Sequence, residues 1–122
     1  IEKKTKMTFS SCLLNLYRNG QDSNGWHSDD EKELGKNPVI ASVSLGAERI
    51  FHLKHRKIKK LKHKLTLQNG SLLLMSGETQ HHWHHQIPKT KKTIAAFFRV
   101  NKFSFVFNFR ILKRYSFIYN II

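Results

Sequence analysis

The chain has one cysteine, Cys12, so it forms no internal disulfide, and it carries neither a CxxC pair nor a Cys/His zinc pattern. Cys12 lies in an apolar run and is expected as a small core residue in a reducing compartment. There is no apolar run of the roughly 20 residues that span a bilayer and no signal peptide, so no membrane partner is expected. Acidic residues are scarce: 8 Asp and Glu face 22 Lys and Arg, a formal net charge of +14. Such a balance favours a polyanion, because each neutralised phosphate releases counterions. It also suits a lysine-rich surface that merely stays soluble. With 122 residues the chain is one domain at most, with little core to spare. It starts with Ile rather than Met, and a missing upstream segment is expected.

What the chain does have is many short strand-like runs separated by turn residues. Thr8 to Tyr17 reads as a strand ended by Arg18-Asn19-Gly20 and Asp22-Ser23-Asn24-Gly25. Residues 1–7 are charged and expected to fray. Asp30 to Asn37 is polar and reads as a loop closing at Pro38. Pro38 to Gly46 and Glu48 to Lys54 read as a hairpin or bent pair around Leu45-Gly46-Ala47. Lys54 to Lys64, KHRKIKKLKHK, reads as an exposed hairpin whose lysines are either solvated or a phosphate-contacting rim. Ser71 to Ser76 is a buried strand, and Gln80 to Pro88 reads as a further strand that carries four histidines around Trp83. With no convincing helix, the pattern predicts an all-β sandwich or barrel.

The chemistry gathers in Gly25-Trp26-His27-Ser28-Asp29-Asp30-Glu31. In an extended strand successive side chains alternate faces, so His27 and Asp29 point the same way while Ser28 points away. Two histidines and one carboxylate on one face of an octahedron, with three positions open, form the ligand set of non-haem Fe(II) oxygenases. A second histidine must then come from downstream, where His81, His82, His84 and His85 surround Trp83. Strand alternation would put His81, Trp83 and His85 on one face and His82 and His84 on the other.

Asn15-Leu16-Tyr17, Trp26 to Glu31, Ile40 to Gly46, Gly70-Ser71-Leu72-Leu73, His85-Gln86-Ile87-Pro88 and Arg99-Val100-Asn101 follow in one order. That order resembles the AlkB family of iron and 2-oxoglutarate dioxygenases, in the branch of nucleic-acid repair, over about residues 8–101. The resemblance implies a double-stranded β-helix, the jelly-roll variant of these oxygenases, here incomplete. It divides the chain into an N-terminally truncated core, residues 1–101, and a divergent Phe-rich tail, residues 102–122. It makes His85, three residues before Pro88, the third iron ligand beside His27 and Asp29. The cosubstrate 2-oxoglutarate would be held by Arg99, with Asn101 beside it, and by Asn15 and Tyr17 from the opposite wall. Glu31 matches the acidic residue that meets the flipped base, where a carboxylate accepts a hydrogen bond from an exocyclic amino group.

The function so implied is oxidative dealkylation of N-alkylated bases in DNA or RNA, consuming O2 and 2-oxoglutarate and releasing succinate, carbon dioxide and an aldehyde. A monomer is expected, in the nucleus of a eukaryote or the cytoplasm of a bacterium. Two other classes stay open. A related oxygenase could act on protein or a small molecule, against which the basic balance and Glu31 speak, or the chain is a degenerate, non-catalytic nucleic-acid-binding remnant.

The tail departs from the family pattern. A second arginine should stand six residues after Arg99, but position 105 is Phe, and Phe103, Phe105, Phe107 and Phe109 alternate as in a strand, followed by Arg110. A charge-assisted hydrogen bond is worth roughly 1.5–3 kcal/mol, so its loss weakens a ligand by about one to two powers of ten. The chain is therefore expected to bind iron but to hold 2-oxoglutarate weakly, with Phe105→Arg tightening it only if the Phe-rich tail occupies the family's last strand. Titration of 2-oxoglutarate into the iron-loaded wild type and variant checks this; a wild-type affinity equal to that of a complete homologue contradicts it.

Overall fold

The computed structural model describes residues 1–104 and the backbone of 117–121; Phe105, Phe107, Phe109 and Arg110 lie outside the described residues. The elements in chain order are α1 (Glu2–Thr5), β1 (Ser11–Tyr17), β2 (Asn24–His27), a 3-10 turn (Lys32–Leu34), β3 (Val39–Gly46), β4 (Arg49–His55) and β5 (Lys62–Leu67). They continue with β6 (Leu72–Ser76), α2 (Thr79–His82), β7 (Trp83–Ile87), β8 (Phe97–Ser104) and β9 (Phe117–Ile121). The strands form a larger sheet, β1-β8-β3-β6-β9, and a smaller one, β2-β7-β4-β5, with antiparallel pairing throughout. This is the expected all-β jelly-roll architecture, and it is partial. The tail rejoins the larger sheet, since β9 pairs with β6 from Leu72↔Ile121 to Ser76↔Phe117.

The core lies between the sheets because each strand turns one face inward. In β4 the buried Arg49, Phe51 and Leu53 alternate with the exposed Ile50 and partly exposed His52 and Lys54. Phe51, Leu53, Leu67 and Ile87 from the smaller sheet meet Tyr17, Ile40, Leu73, Met75 and Phe97 from the larger one in a single cluster. Burying one such side chain contributes about 1.5–3 kcal/mol.

Several local expectations are corrected. The runs around Gly46 do not pair as a hairpin: β3 lies between β6 and β8, whereas β4 lies between β5 and β7 in the other sheet. The connection is a step between sheets, built on Gly46 at φ 96° and on the Ala47 N–H donating to the Ala96 carbonyl at 3.1 Å. The charged N terminus forms one helical turn rather than fraying, with Lys4 and Thr5 N–H both donating to the Ile1 carbonyl at 2.9 Å. The polar stretch after Asp30 contains a 3-10 turn, and a helical turn, α2, interrupts the run read as one strand from Gln80. Cys12 is exposed, not a core residue, because β1 is an edge strand whose outer face is open.

The step at Gly46 sets a test of the fold. A side chain there would adopt a left-handed backbone conformation and collide with the Ala96 carbonyl. Gly46→Ala is expected to destabilise by about 1–3 kcal/mol, read as a lower urea midpoint with an unchanged slope.

Candidate metal centre

The site forms where β2 lies against β7. The Ile87 N–H donates to Asn24 Oδ1 at 2.7 Å, which seats the start of β2, and a register shift then brings His27 directly opposite His85. Their rings lie 4.4 Å apart, edge to face. β2 ends at His27, so Asp29 does not share the strand's alternation as the sequence suggested. The chain leaves the ladder, and the Asp29 N–H is taken instead by Gln80 Oε1 at 3.0 Å. That places the carboxylate between the two imidazoles, with Oδ1 3.7 Å from His27 Nε2 and Oδ2 3.5 Å from His85 Nε2. One ligand atom from each of the three residues lies within 4.8 Å of the others. An ion bonded at about 2.1 Å holds adjacent ligand atoms roughly 3 Å apart, so a small closure suffices.

The protonation states suit a cation. His27 Nδ1 donates to the Gly25 carbonyl at 2.7 Å in the tautomer that leaves the Nε2 lone pair facing Asp29. His85 is 1 % exposed, and its ring stacks on Phe51 at 5.3 Å. Burial lowers its pKa, with the Asp29 carboxylate opposing that shift less strongly, so the imidazole is neutral at pH 7. For Asp29 burial alone would raise the pKa. The hydrogen bond from His85 and the electrostatic influence of the neighbouring histidines and Arg99 together outweigh it, and the pKa is lowered.

Behind the three residues stands a buried cation. Arg99 on β8 donates from Nε to Ser42 Oγ, and its guanidinium carbon sits 4.6 Å over the Phe51 ring. Burial lowers its pKa to about 10, so it stays charged at neutral pH. Among the described residues no carboxylate pairs with it. A buried charge without a counter-ion is costly, and a dianion whose far carboxylate reached Arg99 would supply one. Asn101 Oδ1, two residues along the strand, is also buried without a partner among the described residues. Asn15 is the direct ladder partner of Arg99, and Tyr17 packs its ring on Phe97 at 5.4 Å. Both therefore lie on the strand next to β8 in the same sheet, not on an opposite wall. Burial raises the Tyr17 pKa, against the lowering by Arg99 and Arg49, and keeps a neutral hydroxyl.

The remaining histidines are engaged elsewhere, and the helical turn removes His81 and His82 from the alternation expected of them. His81 Nε2 meets the Lys36 carbonyl and, at 2.9 Å, Asn37 Oδ1. His82 lies 3.3 Å from Glu78 and stacks on His55. His84, next along β7, points to the other side of the strand from the buried His85. Glu31 is exposed, and its carbonyl starts the 3-10 turn by accepting the Leu34 N–H at 2.9 Å. It is not among the three clustered ligands. Two residues of the site carried no signal in the sequence: Gln80, an amide in a turn, and Phe51, an ordinary strand aromatic whose ring touches both His85 and Arg99.

Asp29→Ala is expected to abolish iron binding, whereas His81→Ala should leave it within a few-fold. Equilibrium dialysis with metal analysis on the two variants separates the ligand from its neighbours, and loss on His81→Ala alone would contradict the assignment of His85.

Residues 1–110 match the family described as the 2OG-Fe(II) oxygenase superfamily. Over 99 residues the chain is 45% identical to the human alpha-ketoglutarate-dependent dioxygenase alkB homolog 3, covering 73% of this chain and 34% of that protein. It is 45% identical over 105 residues to the Bos taurus DNA oxidative demethylase ALKBH2, covering 80% and 37%, and 43% identical over 106 residues to its Arabidopsis thaliana counterpart, covering 69% and 34%. The chain thus spans little more than a third of the length of these curated relatives. A two-histidine, one-carboxylate cluster beside a buried arginine that no carboxylate pairs among the described residues, in a partial jelly roll with these matches, has one reading: the chain belongs to the 2OG-Fe(II) oxygenase superfamily, in its AlkB branch, a family built on Fe(II) and 2-oxoglutarate.

Proposed function

We propose that this chain carries the catalytic core for oxidative dealkylation of N-alkylated bases in DNA or RNA. The observation that carries the reading is the convergence of His27, Asp29 and His85 in front of the buried cation Arg99. The Bos taurus and Arabidopsis thaliana relatives are named DNA oxidative demethylases, which supports this chemistry. His27, Asp29 and His85 would hold the iron, and Arg99, with Asn101, Asn15 and Tyr17 around it, the 2-oxoglutarate. When bound, the pair supplies O2 activation coupled to cosubstrate decarboxylation. The protein's own part is to keep the His85 imidazole neutral and the Asp29 carboxylate ionised, to leave one side of the three ligands open, and to exclude water from Arg99. An N-alkyl carbon hydroxylated there is lost as an aldehyde, and the base recovers its free nitrogen. Glu31, exposed two residues beyond Asp29, would accept a hydrogen bond from an exocyclic amino group of the base. The protein acts as a monomer, inside the cell.

The distribution of cations supports a nucleic-acid substrate. On the β4–β5 hairpin Lys54 stands directly opposite Lys62, and His52 opposite Lys64. The Lys54 and Lys62 charges repel across the ladder, and a phosphate backbone laid over them relieves that repulsion. Lys64 adds to burial in lowering the His52 pKa. The turn adds Arg56 and Lys59, which with Lys54, Lys62 and His84 line a cavity of about 430 Å³. The rim reading of these lysines is thereby favoured over simple solvation.

Succinate formation in the presence of Fe(II), O2 and 2-oxoglutarate is expected to rise with an N-methylated oligonucleotide and not with the unmodified one. Mass spectrometry of the oligonucleotide should show loss of the methyl group. Oligonucleotide binding with no succinate would favour the non-catalytic remnant, for which Phe105 in place of the second arginine speaks, and turnover without oligonucleotide dependence would favour a protein or small-molecule substrate.

Affinity for nonspecific oligonucleotide is expected to fall steeply with salt, each neutralised phosphate contributing roughly 0.7–0.9 to the log-log slope. Replacing Lys59, Lys60, Lys62 and Lys64 by Ser should flatten the slope by up to about 3. An unchanged slope would assign these lysines to solvent.

A further inference from the structure

Gln80 sits at the second position of the helical turn α2 and is 1 % exposed, although it is polar and bears no charge partner. A buried amide is costly unless its groups are bonded, and here its oxygen is spent on the metal centre. Gln80 Oε1 accepts the backbone N–H of Asp29 at 3.0 Å and lies 3.3 Å from His85 Nε2, while its amide nitrogen faces Met75 Sδ at 3.7 Å. One oxygen thus touches both halves of the site, which come from segments more than fifty residues apart.

We infer that Gln80 is a positioning residue for the metal centre, fixing the Asp29 backbone so that the carboxylate falls between the two imidazoles. The inference rests on the reading of His27, Asp29 and His85 as metal ligands. Its physical basis is that β2 ends at His27, so no ladder hydrogen bond holds Asp29. Without the Gln80 oxygen the Asp29 N–H has no such anchor, and the carboxylate swings with its loop. The turn carrying Gln80 is itself braced by Thr79 Oγ1 donating to the Ser76 carbonyl at 2.6 Å and by the His81 and His82 N–H groups donating to the Glu78 carbonyl at 3.0 and 3.2 Å. The bracing makes the oxygen a fixed point rather than one more mobile side chain. Outer groups that orient metal ligands in this way typically set affinity by ~10–100-fold.

The test uses the full chain and Co(II) alone, whose visible spectrum reports ligand geometry. Gln80→Met keeps the length and apolar packing of the side chain and removes the acceptor. Gln80→Asn keeps an amide but withdraws it by one methylene, and stands in should the Met variant not fold. Either is expected to weaken Co(II) by about 10–100-fold, to alter the visible bands, and to speed hydrogen exchange of the Asp29 amide in the metal-free protein, with little change in thermal midpoint. Gln80→Glu, which keeps an oxygen at the same reach, should retain both the affinity and the slow exchange. Wild-type affinity, spectrum and Asp29 exchange in the Met or Asn variant would overturn the inference. A wild-type chain that fails to bind Co(II) would instead overturn the reading of the three ligands, and the exchange of the Asp29 amide would still decide whether Gln80 holds that loop.

Discussion

The site depends on a carboxylate held between two imidazoles, at 3.7 and 3.5 Å, in a place that is largely removed from water. Burial opposes charge on either kind of group, so the arrangement survives only because the partners compensate one another. His85 stays neutral, and Asp29 stays ionised because nearby hydrogen bonds and positive charge outweigh its desolvation. Those are the protonation states in which these groups bind a metal ion. The same geometry that makes the cluster tolerable without a metal therefore leaves it ready for one.

Phe51 links this cluster to the second half of the site. One ring packs on His85 at 5.3 Å and on the Arg99 guanidinium at 4.6 Å, so the metal side and the cosubstrate side share a wall. The wall belongs to the smaller sheet, while Arg99 comes from the larger one, and the two are joined through the core cluster that contains Phe51. Mutating the ring would disturb both ligands together. The basic hairpin begins on the same strand: β4 turns Phe51 and Leu53 inward and His52 and Lys54 outward. A single strand thus lines the chemical site on one face and presents charge on the other, which follows from the two-residue period of extended chain.

The ligand pair and the fold class were legible because they are local patterns: an HxD, an HxxP and short runs punctuated by turns. Strand alternation does not account for the pair, since Asp29 lies beyond the strand end and is placed by Gln80. The histidine-rich run was misread for a related reason. Its hydrogen-bonded turn at Thr79–His82 is invisible to a two-residue period, and only the structure takes His81 and His82 away to Asn37 and Glu78. The supposed hairpin at Gly46 failed because adjacency in sequence does not say which sheet a strand joins.

By itself the sequence determined which groups were available: two histidines and an aspartate in the right order, an arginine and asparagine near the end of the core, and a surplus of cations in one hairpin. Tertiary structure alone decided how they meet. Whether a histidine faces a metal or a loop depends on strand register and on where a helical turn intervenes. Whether an arginine is a surface cation or a buried one awaiting a carboxylate depends on what the other sheet packs against it. Gln80 shows the difference most plainly, because its role comes from one hydrogen bond across the fold, the Asp29 N–H donating to its Oε1 at 3.0 Å. Contacts between segments far apart in the chain leave no periodicity for a sequence to display.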